Sequence, residues 1–293
     1  MRTRHDNEKA WIYHATDRFT VFCKYLGYRN SNPNAKQKPA RTFAGRYKKT
    51  GVLNAANNGS FPPYKIVSNT DSIEGASVDL ANALGELLGV KIEHFTVGGL
   101  PGILSGIQSG RYQFAIGPTG DFPPRQAKND FVDFVREFVV FAVKSGNHEK
   151  INTLDDTCGK RIAVLAGGSA EQVIVKQSQA CTAAGKPAVT VQSYTDQPTS
   201  ILSVRSDRAD VFFSSQAPLT YFVQQTNGQL ELAGTGQHNG FGDLYQGSVF
   251  EKDSPLTPII LAAYQELFDN GTYAAIMEKW NLSDNMLLHR ASI

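Results

Sequence analysis

One arginine and one glycine turn carry the most legible chemistry in this chain. Arg125 closes the loop Pro118-Thr119-Gly120-Asp121-Phe122-Pro123-Pro124, which follows the apolar run Phe114 to Gly117. A guanidinium is a planar fork that pairs both oxygens of a carboxylate at once. The turn Gly167-Gly168-Ser169-Ala170-Glu171 follows a second apolar run, Arg161 to Leu165, and opens a helical pattern. Consecutive backbone N–H groups at a helix start attract anions. The turn is too short for the phosphate-binding pattern GxxxxGK[ST], and no lysine follows it. Both features could receive an anion. The plain alternative for Arg125 is a solvated surface side chain.

No catalytic constellation accompanies them. His5, His14, His94, His148, His238 and His289 are scattered without metal spacing. Ser/His/Asp orders can be drawn, but none has a nucleophile elbow. Cys23, Cys158 and Cys181 form no CxxC or Cys/His cluster. Neither a metal nor a cofactor is expected. Cys158 and Cys181 lie at the ends of one strand-helix unit and are expected to pair as a disulfide, with two buried free thiols as the alternative.

The elements that must position Arg125 and the turn alternate between strand and helix. Val52 to Ala56 reads as a strand, followed by the loop Asn57 to Tyr64, NNGSFPPY. Its two prolines stiffen it, which favours Phe61 as a presented ring over a core ring. Lys65 to Val67 reads as a brief strand. Ser77 can cap the next helix, and Asp79 complements the positive end of its dipole. Val78, Ala81, Leu84 and Leu88 form one stripe of that helix, which Gly89 ends. Val90 to Phe95 is a strand, Leu100 to Ser109 a helix with Pro101 in its first turn, and Phe114 to Gly117 a strand. Phe131 to Val143 is a long apolar, strand-like connection.

A polar stretch, Ser145 to Asp156, separates this series from a second one. Strands are predicted at Arg161 to Leu165, Val189 to Ser193, Asp210 to Phe213 and Leu230 to Ala233. Helices are predicted at Ser169 to Cys181, Pro198 to Arg205 and Ala217 to Gln225. Leu244 to Phe250 reads as a returning strand, and helices Leu256 to Asp269 and Thr272 to Trp280 close the chain. The expected architecture is two α/β lobes joined by extended crossings near 136–144 and 243–250. Residues 51–142 and 244–293 build lobe one, and 143–243 build lobe two. In such folds small ligands lie at the carboxyl ends of strands, and lobe closure buries them.

Length and charge agree with this. A chain of 293 residues suggests two domains. Of 29 basic and 27 acidic residues, 12 and 3 fall in positions 1–50, leaving 17 and 24 for the rest. A basic, aperiodic arm thus precedes an acidic body. The body has no clustered basic face for nucleic acid. No run of 18 apolar residues suggests a membrane span. The first residues lack the apolar stretch of a signal peptide, and Val21-Phe22-Cys23 does not fit a lipoprotein site. A start codon placed wrongly or a truncated gene model is the expected explanation.

From Gly51 to Leu282 the chain resembles the extracytoplasmic solute-binding proteins of family 3, which capture polar amino acids for ABC importers. The resemblance lies in the order of local motifs. Phe61-Pro62-Pro63-Tyr64 resembles the family's "YPPF" loop, which sets an aromatic ring on the ligand. Gly75-Ala76-Ser77-Val78-Asp79-Leu80-Ala81 resembles "GFDVDLA", with Ala76 for the aromatic residue and Ser77 for the acid. The loop ending at Arg125 resembles the "TxxR" segment whose arginine grips the ligand's α-carboxylate. Here Phe122 replaces that threonine, and Thr119 is left to supply a hydroxyl. Gly167 to Glu171 resembles the "GTTQE" turn, whose amides meet the same carboxylate from the other lobe.

The fold implied is the two-lobed periplasmic-binding fold of type II, and the ligand set implied is Asn58, Phe61, Ser77, Thr119, Gly120, Arg125, Gly168, Ser169 and Ser215. Two departures bear on the ligand. Ser215 stands where amino-acid binders carry an aspartate for the α-ammonium, although it could equally cap the following helix. Asn58 stands where binders of basic amino acids carry an acid. The missing charges argue against a cationic ligand. The resemblance implies a monomeric, periplasmic or otherwise extracytoplasmic receptor that serves membrane permease subunits. The alternative on the same fold is a cyclohexadienyl or arogenate dehydratase, which needs a general acid in the cleft. Glu171 and Asp121 are the candidates for that acid. A sensor domain is the third reading, but no fused DNA-binding or membrane module accompanies it.

Overall fold

A computed structural model describes residues 50–59, 61–67 and 73–287. The basic arm and Cys23 lie outside these residues. The first sheet is ordered β4-β1-β5-β12-β6. Its strands are β1 (Val52–Asn58), β4 (Lys91–Val97), β5 (Phe114–Gly120), β6 (Asn129–Glu137) and β12 (Leu244–Glu251). The short strands β2 (Ile66–Val67) and β3 (Ile73–Glu74) pair separately.

Helix α1 (Ala76–Leu88) buries Leu80, Ala81, Leu84 and Leu88, the stripe that its 3.6-residue period creates. Gly89 ends it in the left-handed region and returns its N–H to the last carbonyls. With α7 (Thr257–Asp269) and α8 (Thr272–Lys279), α1 covers one face of the sheet. Helix α2 (Gly99–Gln108) covers the other through Ile103 and Ile107. Phe114 stacks on Phe250 at 5.5 Å and Phe134 on Tyr264 at 5.3 Å. Each such ring contributes about 1.5–3 kcal/mol through burial.

The second sheet is ordered β11-β7-β10-β8-β9. It contains β7 (Val139–Lys144), β8 (Arg161–Leu165), β9 (Thr190–Tyr194), β10 (Val211–Ser215) and β11 (Leu230–Ala233). Helix α4 (Ser169–Ala183) packs Ile174 and Cys181 on one face. Helices α5 (Gln197–Arg205) and α6 (Gln216–Gln224) pack Ile201, Val204 and Leu219 on the other. The short α3 (Pro123–Gln126) sits between β5 and β6 in sequence. No helix among the described residues is long and apolar enough to cross a membrane.

The crossings differ from the sequence reading. The apolar run 131–143 is two strands, not one. Asn129 to Glu137 pairs with β12 along its length, whereas Val139 to Lys144 pairs with β10 and β11. The chain therefore changes sheets at Phe138, and residues 139–142, read above as lobe one, lie in the second sheet. Leu244–Glu251 lies wholly within the first sheet, so the return crossing precedes it. Burial on both faces erases the alternation that would have marked the break.

Glu137, the last residue of β6, fastens this junction. It is buried, and its Oε1 accepts from the Tyr64 hydroxyl at 2.7 Å and from Asn285 Nδ2 at 2.9 Å. Burial pushes its pKa up to about 7, opposed by the Tyr64 hydroxyl and by the amides of Phe138, Gln216 and Ala217 at the start of α6. Its Oε2 makes no hydrogen bond among the described residues, so those amides act as a field and not as direct partners. Asp133, four residues earlier, is pushed to about 7 by burial and then by the charge of Asp121.

A carboxyl whose folded pKa is raised stabilises the fold below its ordinary pKa, and that contribution is lost as pH rises through the folded value. The protein is therefore expected to be more stable at pH 5 than at pH 7.5, by about 1–3 kcal/mol in urea unfolding. Asp133→Asn and Glu137→Gln together should flatten the profile. An equally steep profile in the double variant would refute the assignment.

Cys158 and Cys181 form a disulfide 23 residues apart in sequence, tying the amino side of β8 to α4. Closing a loop of that length should contribute roughly 3 kcal/mol by restricting the unfolded chain. Urea unfolding with and without reductant tests this. Identical midpoints, with thiols confirmed after reduction, would show that the bridge adds nothing.

Candidate functional site

The carboxyl ends of β1, β5, β8 and β10 face one another across a cleft between the two sheets. Each strand delivers polar groups there because its hydrogen-bonded ladder ends and the chain must turn. From β1 come Asn57 and Asn58, and from the following proline loop Phe61 and Lys65. From β5 come Thr119 and Gly120, and from α3 comes Arg125. Gly168, Ser169 and Ala170 enter from the start of α4, and Ser214 and Ser215 from the end of β10. Gln246 of β12 completes the wall.

Arg125 lies at the centre of this arrangement. One terminal guanidinium nitrogen donates to the Gly120 carbonyl at 2.8 Å, and the other reaches the Gly167 carbonyl of the second lobe at 3.4 Å. The guanidinium lies 5.2 Å from the centroid of the Phe122 ring. That ring packs against Phe241 at 6.2 Å. Phe122, which departs from the expected threonine, thus supplies a platform for the cation. Burial lowers the Arg125 pKa to about 10, and Asp121 partly restores it, so the group stays charged at neutral pH. Among the described residues Arg125 has no carboxylate partner within ion-pair distance.

The glycine turn differs in detail from the sequence reading. The Gly168 N–H is committed to the Leu165 carbonyl at 3.1 Å. The Gly167 N–H donates to Glu171 at 2.7 Å. Ser169 and Ala170, the first two residues of α4, line the cavity, and their N–H groups have no partner within the helix because they open it. Gly168 is the non-helical residue that lets the chain enter the helix, not a donor.

Ser77 is also corrected. Gly75 occupies the cap position, at φ 133°, where a Cβ would stand 2.3 Å from the Tyr64 carbonyl oxygen. Ser77 is the second residue of the helix, fully buried, and its hydroxyl donates to the Gly117 carbonyl at 3.0 Å. It braces β5 from behind and does not line the cavity. Asp79 accepts from Lys279 and from Trp280 Nε1, each at 2.7 Å, tying α1 to the end of α8.

Ser215 precedes α6 but makes no capping bond. Its hydroxyl accepts from Gln246 Nε2 at 3.4 Å, across the lobes. Thus Asn58, Phe61, Thr119, Gly120, Arg125, Gly168, Ser169 and Ser215 share one cavity, and Ser77 stands outside it.

Lys65 was missed in the sequence, where it reads as part of a short strand. It is 1% exposed, lines the cavity, and donates from Nζ to Thr96 Oγ1 at 3.0 Å. Burial lowers its pKa to about 8, so it is predominantly protonated at neutral pH. A lysine inside the apolar run Phe61 to Val67 was the signal available. His94 beside it is pushed down to about 4 by burial and then by Lys65, and is neutral.

Glu171 and Asp121 do not line the cavity. Glu171 is occupied by the Gly167 N–H and the Ser193 hydroxyl. Asp121 lies behind Arg125, its pKa raised by burial and moderated by Gln126 and Arg125. Among the described residues the lining holds two cationic side chains, no carboxylate and no histidine. No cluster of His, Cys, Asp or Glu there could hold a metal ion. The charged side chains of the lining are thus all cationic among the described residues.

Known proteins resemble this chain over most of its length. The arginine-binding protein ArgT of Corynebacterium glutamicum is 28% identical over 246 residues, covering 81% of this chain and 76% of that protein. The L-cystine-binding protein TcyJ of Escherichia coli is 26% identical over 237 residues, 80% of this chain and 84% of TcyJ. Among solved structures, an ancestral arginine-binding protein bound to arginine superposes with a TM-score of 0.69 at 29% identity. The match covers 78% of this chain and 98% of that one. The family described as bacterial extracellular solute-binding proteins, family 3, matches residues 53–283. With its cleft, its arginine and its two-sheet topology accounted for, the chain belongs to the bacterial extracellular solute-binding proteins of family 3.

Proposed function

We propose that this chain is a non-catalytic receptor that captures a small carboxylate-bearing solute, an amino acid or a close relative, for an ABC importer. The observation that carries the proposal is the clamp at Arg125. The charged guanidinium of lobe one and Ser169 and Ala170 of lobe two line one cleft, which has no acidic lining among the described residues. A carboxylate there would take paired hydrogen bonds from the fork and single ones from the helix start. The names of ArgT and TcyJ support an amino-acid ligand in general. The reading includes a monomer that works outside the cytoplasm and docks on permease subunits. A disulfide is consistent with an oxidising compartment.

The dehydratase alternative requires an acid that meets the substrate. Its two candidates, Glu171 and Asp121, stand outside the cavity lining, which favours a binder.

Removing the guanidinium would leave a buried anion with backbone donors alone. Arg125→Ala is expected to cost about 2–4 kcal/mol of carboxylate binding, roughly 30- to 1000-fold in Kd. Arg125→Lys should recover only part, because an ammonium cannot pair both oxygens. Titration calorimetry of a carboxylate panel into the three proteins, beside thermal melts, is the measurement. Full affinity in an intact Arg125→Ala protein would refute the clamp.

Ser215→Asp adds a carboxylate at the lobe junction. It is expected to improve binding of cationic amino acids and to weaken binding of dicarboxylates, because one charge acts strongly in a partly desolvated cleft. Unchanged affinity for both classes would leave Ser215 as no more than the partner of Gln246.

A further inference from the structure

The cavity holds more positive charge than one carboxylate can satisfy. Lys65 and Arg125 are its only charged lining residues among those described. Arg125 has a role in the clamp described above. Lys65 has none, yet its position is unfavourable for the fold. An ammonium removed from water destabilises the protein by several kcal/mol unless it is paired with an anion or saturated with acceptors.

Lys65 has neither. Its hydrogen-bond acceptor among the described residues is the hydroxyl of Thr96. It forms no ion pair among them. The neighbouring His94 is neutral, and its Nδ1 contacts Asn57 Nδ2 at 3.0 Å. Asn57 also lines the cavity, and its Oδ1 is buried without a partner.

The placement is enforced by the backbone. Lys65 and Phe61 exchange both N–H···O bonds across the double-proline turn, at 2.9 and 3.0 Å. The Lys65 backbone is therefore held beside Phe61 in the loop that follows β1, and its side chain is buried there. A leucine or methionine would fill the same space at lower energy. A buried charge without a partner inside a binding cleft is the arrangement expected when the ligand supplies the counter-charge.

We propose that Lys65 receives a second anionic group of the ligand, so that the receptor selects small dianionic carboxylates over neutral and cationic amino acids. This rests on the Arg125 clamp as the seat of the first carboxylate. Charge balance across the site favours it. A diacid neutralises both cations. A zwitterionic neutral amino acid neutralises one cation and brings an ammonium to a wall where Ser215 replaces a carboxylate. An arginine ligand would add two positive groups to two already present. Both anion seats belong to lobe one, whereas lobe two contributes hydroxyls and amides. The open form is thus equipped to hold the dianion before the lobes close.

The shared chemistry is two carboxylates on a short chain, with or without an amine. Titration calorimetry on the full chain should use succinate, glutarate, L-aspartate, L-glutamate, L-alanine, L-arginine and propionate. The diacid arms and the acidic amino-acid arms separate the two sources. At least one arm should bind on the order of 100-fold tighter than propionate, L-alanine and L-arginine. Lys65→Met should weaken that ligand roughly 10- to 100-fold. Lys65→Arg should keep the dianion preference. The unliganded Lys65→Met protein should melt no lower than wild type, since it sheds an unpaired buried charge.

Unchanged dianion affinity in folded Lys65→Met, with binding lost in Arg125→Ala, would overturn the second seat and leave the clamp standing. Propionate binding as tightly as any diacid would overturn it too, because one carboxylate would then bridge both cations. Silence from all seven ligands with wild type would overturn both readings together.

Discussion

The site depends on β12 being threaded between β5 and β6. The chain leaves the first sheet at Phe138, builds the second, and returns into the interior of the first, antiparallel to both neighbours. Such an insertion requires close backbone approach where the strands reach the cleft. Gly117 and Gly247 provide it. A Cβ on Gly117, whose φ is 85°, would stand 2.4 Å from the Gly247 carbonyl oxygen. One on Gly247 would stand 2.2 Å from the Val132 carbonyl oxygen. With the strands this close, Thr119 and Gly120 project beyond the ladder and Gln246 reaches Ser215 of the other lobe. Ser77 holds the Gly117 carbonyl from behind. The polar ends of the strands are therefore placed by apolar and glycine contacts one layer down.

Electrostatics then divides the molecule into a cationic cleft and an acidic backing. Asp121, Asp133 and Glu137 all carry raised pKa values, and all lie outside the cavity lining. Their charged forms are disfavoured because burial strips their hydration, not because they meet ligand. Asp121 helps keep Arg125 protonated from the rear, while the front of the guanidinium meets only carbonyls and the Phe122 ring. The arrangement sacrifices stability for recognition, as sites that must bind charge commonly do. Hydrophobic burial elsewhere offsets it, through the stacked rings under each sheet and the disulfide beneath α4.

Around the cleft the lobes meet through long polar contacts and through the Phe122 ring on Phe241. Arg125 to Gly167 at 3.4 Å and Gln246 to Ser215 at 3.4 Å are both at the long end for hydrogen bonds. A shorter bond lies at the junction, where the Gln216 N–H donates to the Phe138 carbonyl at 2.7 Å, next to Glu137, which gathers Tyr64 and Asn285 within the first lobe. The shorter bond thus lies at the crossing and the longer ones at the mouth of the cleft.

Much of this was legible in the chain. Period and turn chemistry are local, so the alternation of strands and helices, the Gly89 stop and the helix opening at Ser169 could be read from residues in sequence. Arg125 could be singled out because it follows a buried strand through a proline loop, and Cys158 and Cys181 because they end one unit. What depended on distant partners could not be read. The sheet change at Phe138 is hidden in a run buried on both faces, where both strands look alike. Ser77 looks like a cap until Gly75 is seen packed on Tyr64, and Gly168 looks like a donor until Leu165 takes its N–H. Lys65 sits in an apolar, strand-like segment, which hints at burial but does not say that the lysine lines the cleft. Only the approach of β4, with Thr96 and His94, encloses it. Sequence determined which elements form and where they turn, because those are properties of neighbours along the chain. Tertiary structure decided which polar groups are already satisfied and which still face the cleft, because a hydrogen bond or a lost hydration shell depends on residues that meet only in the fold.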